Sequence, residues 1–213
     1  MPPTSTDDGP FDEAIADGVK AGDPDAVGAV YVALADRLMG YLMARVRDRG
    51  IAEDLLEATF IELLQSGHTI RGGARAMKVW LYRAAHYNAL DHLRKVSRRR
   101  EDLSDDLSEV HVVDPGRPPD EHAVASAIST DVRAAMQQLS EEQRQVLLLR
   151  YMAGLSAGEV ARILDKNDGA IRSLQHRGER SLARLLAPKF SAPSTPRRTS
   201  QPAQERMSSR RQR

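Results

Sequence analysis

Trp80, Tyr82 and Tyr87 fall within eight residues, and Arg94, Lys95, Arg98, Arg99 and Arg100 follow them directly. Aromatic rings offer faces on which nucleobases stack, at about 1–3 kcal/mol per base, while guanidinium groups hold phosphates. On a helix, Trp80, Arg83, Tyr87, Asp91, Arg94 and Arg98 occupy one stripe about 80° wide. Leu81, Ala84 and Ala85 lie on one flank, with Val79, Leu90 and Leu93 on another, so most of the remaining circumference can be buried. Such a stripe suits unpaired bases held together with their phosphates. A plainer arrangement has the same spacing: Trp80 and Tyr87 fill a core, as large aromatics usually do, and the arginines are merely solvated. Tyr82 lies outside the stripe and reads as a packing residue.

A second constellation lies in "LSEEQRQVLLLRYMAGLSAGEVARILDKNDGAIRSLQHRGERSLARLL", which begins at Leu139. Ser140 with Gln143, and Ser156 with Glu159, have capping-box spacing. Gly154 stands where a turn between helices needs positive φ. A short helix over 157–164, a break at 165–168 and a long helix from Gly169 make helix-turn-helix arithmetic. The long helix puts Ile171, Leu174, Gly178, Leu182 and Leu185 on one side. Gly169, Arg172, Ser173, His176 and Arg180 point away, with Arg177 at the edge. A face that is short or cationic near the helix start fits a DNA major groove. An amphipathic helix with a solvated basic face in an ordinary helical bundle has the same pattern.

Other chemistries find no residues to carry them. The chain has no cysteine, which excludes disulfides and thiolate metal sites. No Gly-rich phosphate loop and no His-x-x-x-His pair occurs, and His86 and His92 point to different sides of their helix. The expectation is no catalytic site, no cofactor, no metal and no enzyme.

The elements that must position these residues read as helices throughout. Val27, Val30, Tyr31, Leu34, Leu38, Tyr41 and Leu42 mark one; Leu55, Leu56, Phe60, Leu63 and Leu64 mark a second; the aromatic–basic stretch forms a third. Period-2 alternation is missing. The net charge of +1 conceals segregation: −6 over 1–25, +6 over 26–100, −7 over 101–121, +2 over 122–187 and +6 from Pro188 onward. Alternating blocks of this kind point to polyanion contacts in some places and self-repelling linkers in others. The predicted fold class is all-α, with two small helical domains joined by a flexible acidic linker. Its boundaries are an acidic N-terminal segment 1–24, a first domain 25–100, a linker 101–122, a second domain 123–187 and a basic, disordered tail 188–213. The start, "MPPTSTDDGPFDEAIADG", lacks the apolar core of a secretory signal, and no unbroken apolar run of about 18 residues occurs. No membrane insertion and a cytoplasmic location are therefore expected.

Both halves resemble one family. "IAEDLLEATFIELLQ" with "AMKVWLYRAAHYNALDHLRK" is similar to region 2 of bacterial sigma-70 family sigma factors of the extracytoplasmic-function (ECF) group. "LSEEQRQVLLLRYMAGLSAGEVARILDKNDGAIRSLQHR" resembles their region 4, and the likeness runs from Asp25 to Ala187. The resemblance implies a factor that binds core RNA polymerase and directs it to promoter DNA, both duplex and melted. Asp54, Leu55, Thr59 and Phe60 then match the polymerase-binding segment. Trp80, Leu81, Asp91 and Arg94 match the segment that opens and holds the minus-ten strand, which would make Trp80, Arg83, Tyr87, Arg94 and Arg98 the DNA-binding stripe. Gly169, Arg172, Ser173, His176 and Arg177, with Arg180 on the same face, match the minus-thirty-five reader. The family also implies an acidic linker drawn into cationic polymerase channels, and an anti-sigma factor as partner. The chain departs from the family pattern at Ala58 (usually Glu), Tyr87 (usually Asn) and Leu174 (commonly Arg). The rival reading is a stand-alone helix-turn-helix regulator, which would need a dimerisation or sensor module in place of the first domain.

Overall fold

Aspartates start the first three helices of the chain. The computed structural model describes residues 11–103 and 123–190, and among these no strand occurs. Helix α1 (Glu13–Lys20) begins at Asp12, whose carboxylate accepts the Ile15 N–H at 3.1 Å. Helix α2 (Pro24–Val46) has Asp23 as its cap and proline in its first turn, where a missing N–H is harmless. Helix α3 (Arg49–Ser66) is capped by Asp48, which accepts from Ile51 N–H at 2.9 Å. A single 3₁₀ turn, Gly67–Thr69, leads to α4 (Ala74–Leu103), the longest helix.

These helices pack because each has one apolar side. Val30, Leu34, Leu38, Tyr41 and Leu42 of α2 meet Leu56, Phe60 and Leu63 of α3 and Met77, Leu81, Tyr82, Ala85 and Ala89 of α4. By length and hydropathy α2 could cross a bilayer, although Asp36 and Arg37 interrupt its apolar sequence. Five of its residues, Val30, Leu34, Leu38, Tyr41 and Leu42, are sealed in this core, while Tyr31 and Val32 face outward. Within the core, the Tyr41 and Tyr82 rings meet edge to face, 5.8 Å between centroids. The Tyr41 hydroxyl and His86 Nδ1 are hydrogen-bonded at 3.0 Å.

The segment 1–24, acidic in sequence, holds α1, which packs on α2, α4 and the 3₁₀ turn. Glu13 reaches across to accept the Ala74 N–H at 3.0 Å, so α1 caps the start of α4. Helix α4 also runs to Leu103, a little past the expected end of the first domain.

The second half contains α5 (Ala123–Gln137), α6 (Glu141–Leu147), a π-helical turn (Leu148–Met152), α7 (Ala157–Leu164) and α8 (Asp168–Phe190). Ser140 accepts the Gln143 N–H and starts α6. The full capping box forms at α7: Ser156 Oγ accepts from Glu159 N–H, and Glu159 accepts from Ser156 N–H. Gly154 has φ +63°, as the turn requires. Asp165, at φ +52°, ends α7, and Asn167 accepts the Ala170 N–H at 2.8 Å to begin α8. A Cβ at Gly178 would lie 3.1 Å from Leu147 Cδ1, so a glycine there lets α6 and α8 approach closely.

The two halves touch. Arg75 of α4 donates to both carboxylate oxygens of Glu159, at 2.7 and 2.5 Å, and to the Gly154 carbonyl at 3.0 Å. Arg45 of α2 pairs with Glu141 of α6, which also holds Arg144. The Met152 methyl lies against Gly40, where a Cβ would come within 2.8 Å of it. The rest of the expected linker, 104–122, and the tail, 191–213, lie outside the described residues.

His86 makes the stability of the bundle sensitive to acid. Burial first, and then repulsion from Arg45, lowers its pKa from 6.5 to about 4. Between those values the unfolded chain binds a proton that the folded chain refuses, so stability is complete above pH 6.5 and falls as pH drops toward 4. Urea unfolding at pH 5 is expected to give about 2 kcal/mol less stability than at pH 7 from this group. His86→Leu should flatten that window even though it lowers stability overall, and an unchanged slope would contradict this account.

Candidate nucleic-acid interface

Helix α4 is locked along one face and open along the other. Met77, Leu81, Tyr82, Ala85 and Ala89 are sealed in the core, as expected for Tyr82 as a packing residue. The opposite stripe faces outward: Arg83, Asp91, Arg94 and Arg98 are exposed, and Tyr87 remains 38% accessible. Trp80 is half-buried and packs against the core. Both readings of the stripe share Trp80, but the arginines and Tyr87 are not consumed by packing.

Local contacts orient these side chains. The Arg83 guanidinium sits 5.7 Å from the centre of the Tyr87 ring, within cation–π range. The His86 ring meets Tyr87 edge-on at 5.5 Å. Tyr87 is thus propped from below by a neutral, buried imidazole and flanked by a cation. Arg94 lies 3.4 Å from Asp91, an exposed pair worth little and readily exchanged for a phosphate. Lys95 and Arg99 extend the exposed charge along the helix.

Helix α8 follows the same logic. Ile171, Leu174 and Gly178 are buried, while Gly169, Arg172, Ser173, His176, Arg177 and Arg180 are all exposed. Arg177 donates to Ser173 Oγ at 3.0 Å. Behind this face, Arg150 donates to Gln175 Oε1 at 2.9 Å, and Gln175 donates to Glu179 at 2.8 Å. The Tyr151 hydroxyl also donates to Glu179. This polar network ties α8 to the π-helical turn and fixes how the cationic face is presented.

The four residues matched to polymerase binding are placed differently from one another. Asp54 is exposed and Leu55 half-buried. Thr59 is sealed, its hydroxyl donating to the Leu55 carbonyl at 2.7 Å and accepting from Asn88 at 3.3 Å. Phe60 is 6% exposed and tilts against Tyr31, 4.9 Å between centroids. A shallow apolar groove between α2 and α3 lies over it, lined by Tyr31, Leu56, Ile61 and Leu64 and edged by Glu53 and Glu57. Tyr31, Ile61 and Leu64 stay 44–57% exposed. Tyr31 and Leu64 belong to the apolar periodicity of their helices, yet both stay at the surface beside this groove. Among the described residues no cluster of three or more acidic, His or Cys side chains could hold a metal.

Comparison with known proteins gives two family matches. The model for Sigma-70 region 2 matches residues 30–99, and that for Sigma-70, region 4 matches residues 129–182. The ECF RNA polymerase sigma factor BldN of Streptomyces coelicolor is 32% identical over 172 residues, spanning 81% of this chain and 64% of that protein. The ECF RNA polymerase sigma factor SigX of Bacillus subtilis is 33% identical over 151 residues, spanning 70% of this chain and 77% of that protein. The sigma factor RpoE of Bartonella quintana, solved in complex with the anti-sigma factor NepR, superposes with a TM-score of 0.59 at 20% identity. That superposition covers 75% of this chain and 96% of the RpoE chain, a likeness of fold.

Trp80 is the one tryptophan in the chain, so its fluorescence reports on the stripe directly. Single-stranded DNA is expected to quench it, with an affinity that falls steeply as salt rises. Tyr87→Ala should weaken that binding by about 1–3 kcal/mol if the ring stacks on a base. Identical titrations for the variant and the wild-type protein would show that Tyr87 is only a surface ring.

Proposed function

This chain belongs to the sigma-70 family, in its ECF group, and we propose that it binds core RNA polymerase and directs it to specific promoters. The observation that carries this reading is the pairing in one chain of two different nucleic-acid surfaces. One is an aromatic–basic stripe held open on α4; the other is a cationic face at the start of α8. A duplex reader alone has no use for the first. A protein that must melt DNA and hold the product needs both.

The chemistry is binding and strand separation, so the chain acts as an initiation factor and not as an enzyme. The α8 face, through Arg172, Ser173, His176 and Arg177, enters the major groove of the minus-thirty-five element, while Arg180 sits close to the phosphates. On α4, Trp80 and Tyr87 supply stacking surfaces for bases of the opened minus-ten strand. Unstacking a base costs a few kcal/mol, which the rings and a protein pocket offset. Arg83, Arg94 and Arg98 neutralise the flanking phosphates. Polymerase docks along α3, where exposed Asp54, half-buried Leu55 and the groove above Phe60 are the available contacts. Thr59 contributes from inside, holding α3 to α4 through Asn88. The protein works in the cytoplasm, where polymerase and promoters are. An anti-sigma factor, of the kind NepR is for RpoE, belongs to the same proposal.

Purified protein with core polymerase should give run-off transcripts from its own promoters, and no association with core polymerase would leave only a stand-alone regulator. Trp80→Ala should impair transcription from duplex templates far more than from templates already melted at the minus-ten element. Equal losses on both would remove Trp80 from strand opening. Arg172→Ala should cost about 1–3 kcal/mol of duplex affinity, confined to one base position. A uniform loss across sequences would make Arg172 a phosphate contact.

A further inference from the structure

Two ion pairs join the halves of the chain, and their placement has a geometric consequence. Arg75 stands five residues before Trp80 on α4, and Glu159 stands ten residues before Gly169 across one tight turn. Helical rise and the reach of an extended chain then keep Trp80 and Gly169 within about 40 Å of each other. The minus-ten and minus-thirty-five elements are about 25 base pairs apart, or roughly 85 Å of duplex. DNA is stiff over about 150 base pairs and does not fold back to close that gap. While Arg75 holds Glu159, the two readers cannot both be on their elements.

We propose that the free chain is latched shut by Arg75–Glu159 and Arg45–Glu141, and that engaging a promoter requires both pairs to break. The need to open rests on the promoter reading above; the latch itself does not. The two pairs differ in kind. The Arg75 side chain is 49% exposed, so its pair with Glu159 is open to screening by salt. The Arg45 side chain is 1% exposed, and the surface that covers it comes in part from the second half of the chain. A buried guanidinium normally costs several kcal/mol when it loses its partner, because it stays out of water. Here separation of the halves removes the cover and the partner together, so water can take the place of Glu141. Apolar contact accompanies the ion pairs: Met152 lies against Gly40, and the buried apolar residues of the two halves form one continuous cluster. The two ion pairs make the joint specific when shut, because each guanidinium has its carboxylate partner in the other half.

The absence of cysteine makes the test direct. Cysteines placed at Val32 on α2, which is 82% exposed, and at Arg162 on α7, also exposed, take spin labels at those two sites alone in the full-length chain. Electron–electron distance measurements on the free protein should give one short, narrow distribution. Glu141→Gln with Glu159→Gln removes both anions, and a glutamine at 159 still satisfies the capping box. This variant should shift several-fold toward long, broad distances while keeping its circular dichroism and helix content. A broad distribution in the labelled wild-type background, or a narrow short one in the variant, would overturn the latch. Should the variant lose helicity, a sodium chloride series on the labelled wild type supplies the same test. A shift toward long distances is then expected, and a distribution unmoved by salt overturns the proposal. Neither outcome depends on polymerase, so failure here is separable from failure of run-off transcription.

Discussion

Helix α4 is clamped along one side and has to stay free along the other, and this division governs most of the first half of the molecule. Met77, Leu81, Tyr82, Ala85 and Ala89 are sealed against α2 and α3, which fixes the rotation of the helix about its axis. With a period of 3.6 residues, that rotation decides which side chains reach solvent. Were the helix turned by even one residue, about 100°, the arginines would be driven into the core. Buried polar contacts set the rotation further. Tyr41 meets His86, and Asn88 meets Thr59; each bond is satisfied in only one register. Burial keeps the His86 imidazole uncharged at neutral pH, so the ring beneath Tyr87 adds no charge of its own.

Charge placement follows a second rule. Cations gather where polyanions are to be met, along α4 and at the start of α8. Several carboxylates of the first half serve structural ends instead: Asp12, Asp23 and Asp48 begin helices, and Glu13 begins another helix from a distance. Glu159 shows how much such placement changes a group. Burial pushes its carboxyl up, but hydrogen bonds from Arg75 and Ser156 outweigh it and bring the pKa down to about 2. Its carboxyl is therefore ionised well below the usual carboxylate range.

Legibility in the sequence tracked the range of the forces involved. The helix-turn-helix was readable almost residue by residue, because its signals are local: Ser156 with Glu159 three positions on, Gly154 at the turn, and an apolar period in Ile171 and Leu174. The outward stripe of α4 was readable as a stripe, yet its two interpretations could be separated only by burial, which depends on partners elsewhere in the chain. Thr59 matched a motif by position while its side chain turned inward, something spacing alone does not reveal. Helix α1 was hidden because eight residues rich in charge and alanine have too weak a local pattern; what stabilises it is packing on α2 and the bond from Ala74, 61 residues away. The contacts of Arg75 and Arg45 are likewise between residues 84 and 96 apart, and no periodicity reports on such pairs.

The double duty of Glu159 has one more implication. Its bonds with Ser156 are internal to α7 and do not need Arg75. Whatever happens at the junction between the halves, the start of α7 keeps its own cap, and α8 stays seated on it. The groove-reading unit therefore arrives at DNA already ordered, and little conformational entropy remains to be surrendered on contact. Discrimination between base pairs can then draw on nearly the whole interaction energy, as it could not if the unit had to fold at the moment of recognition.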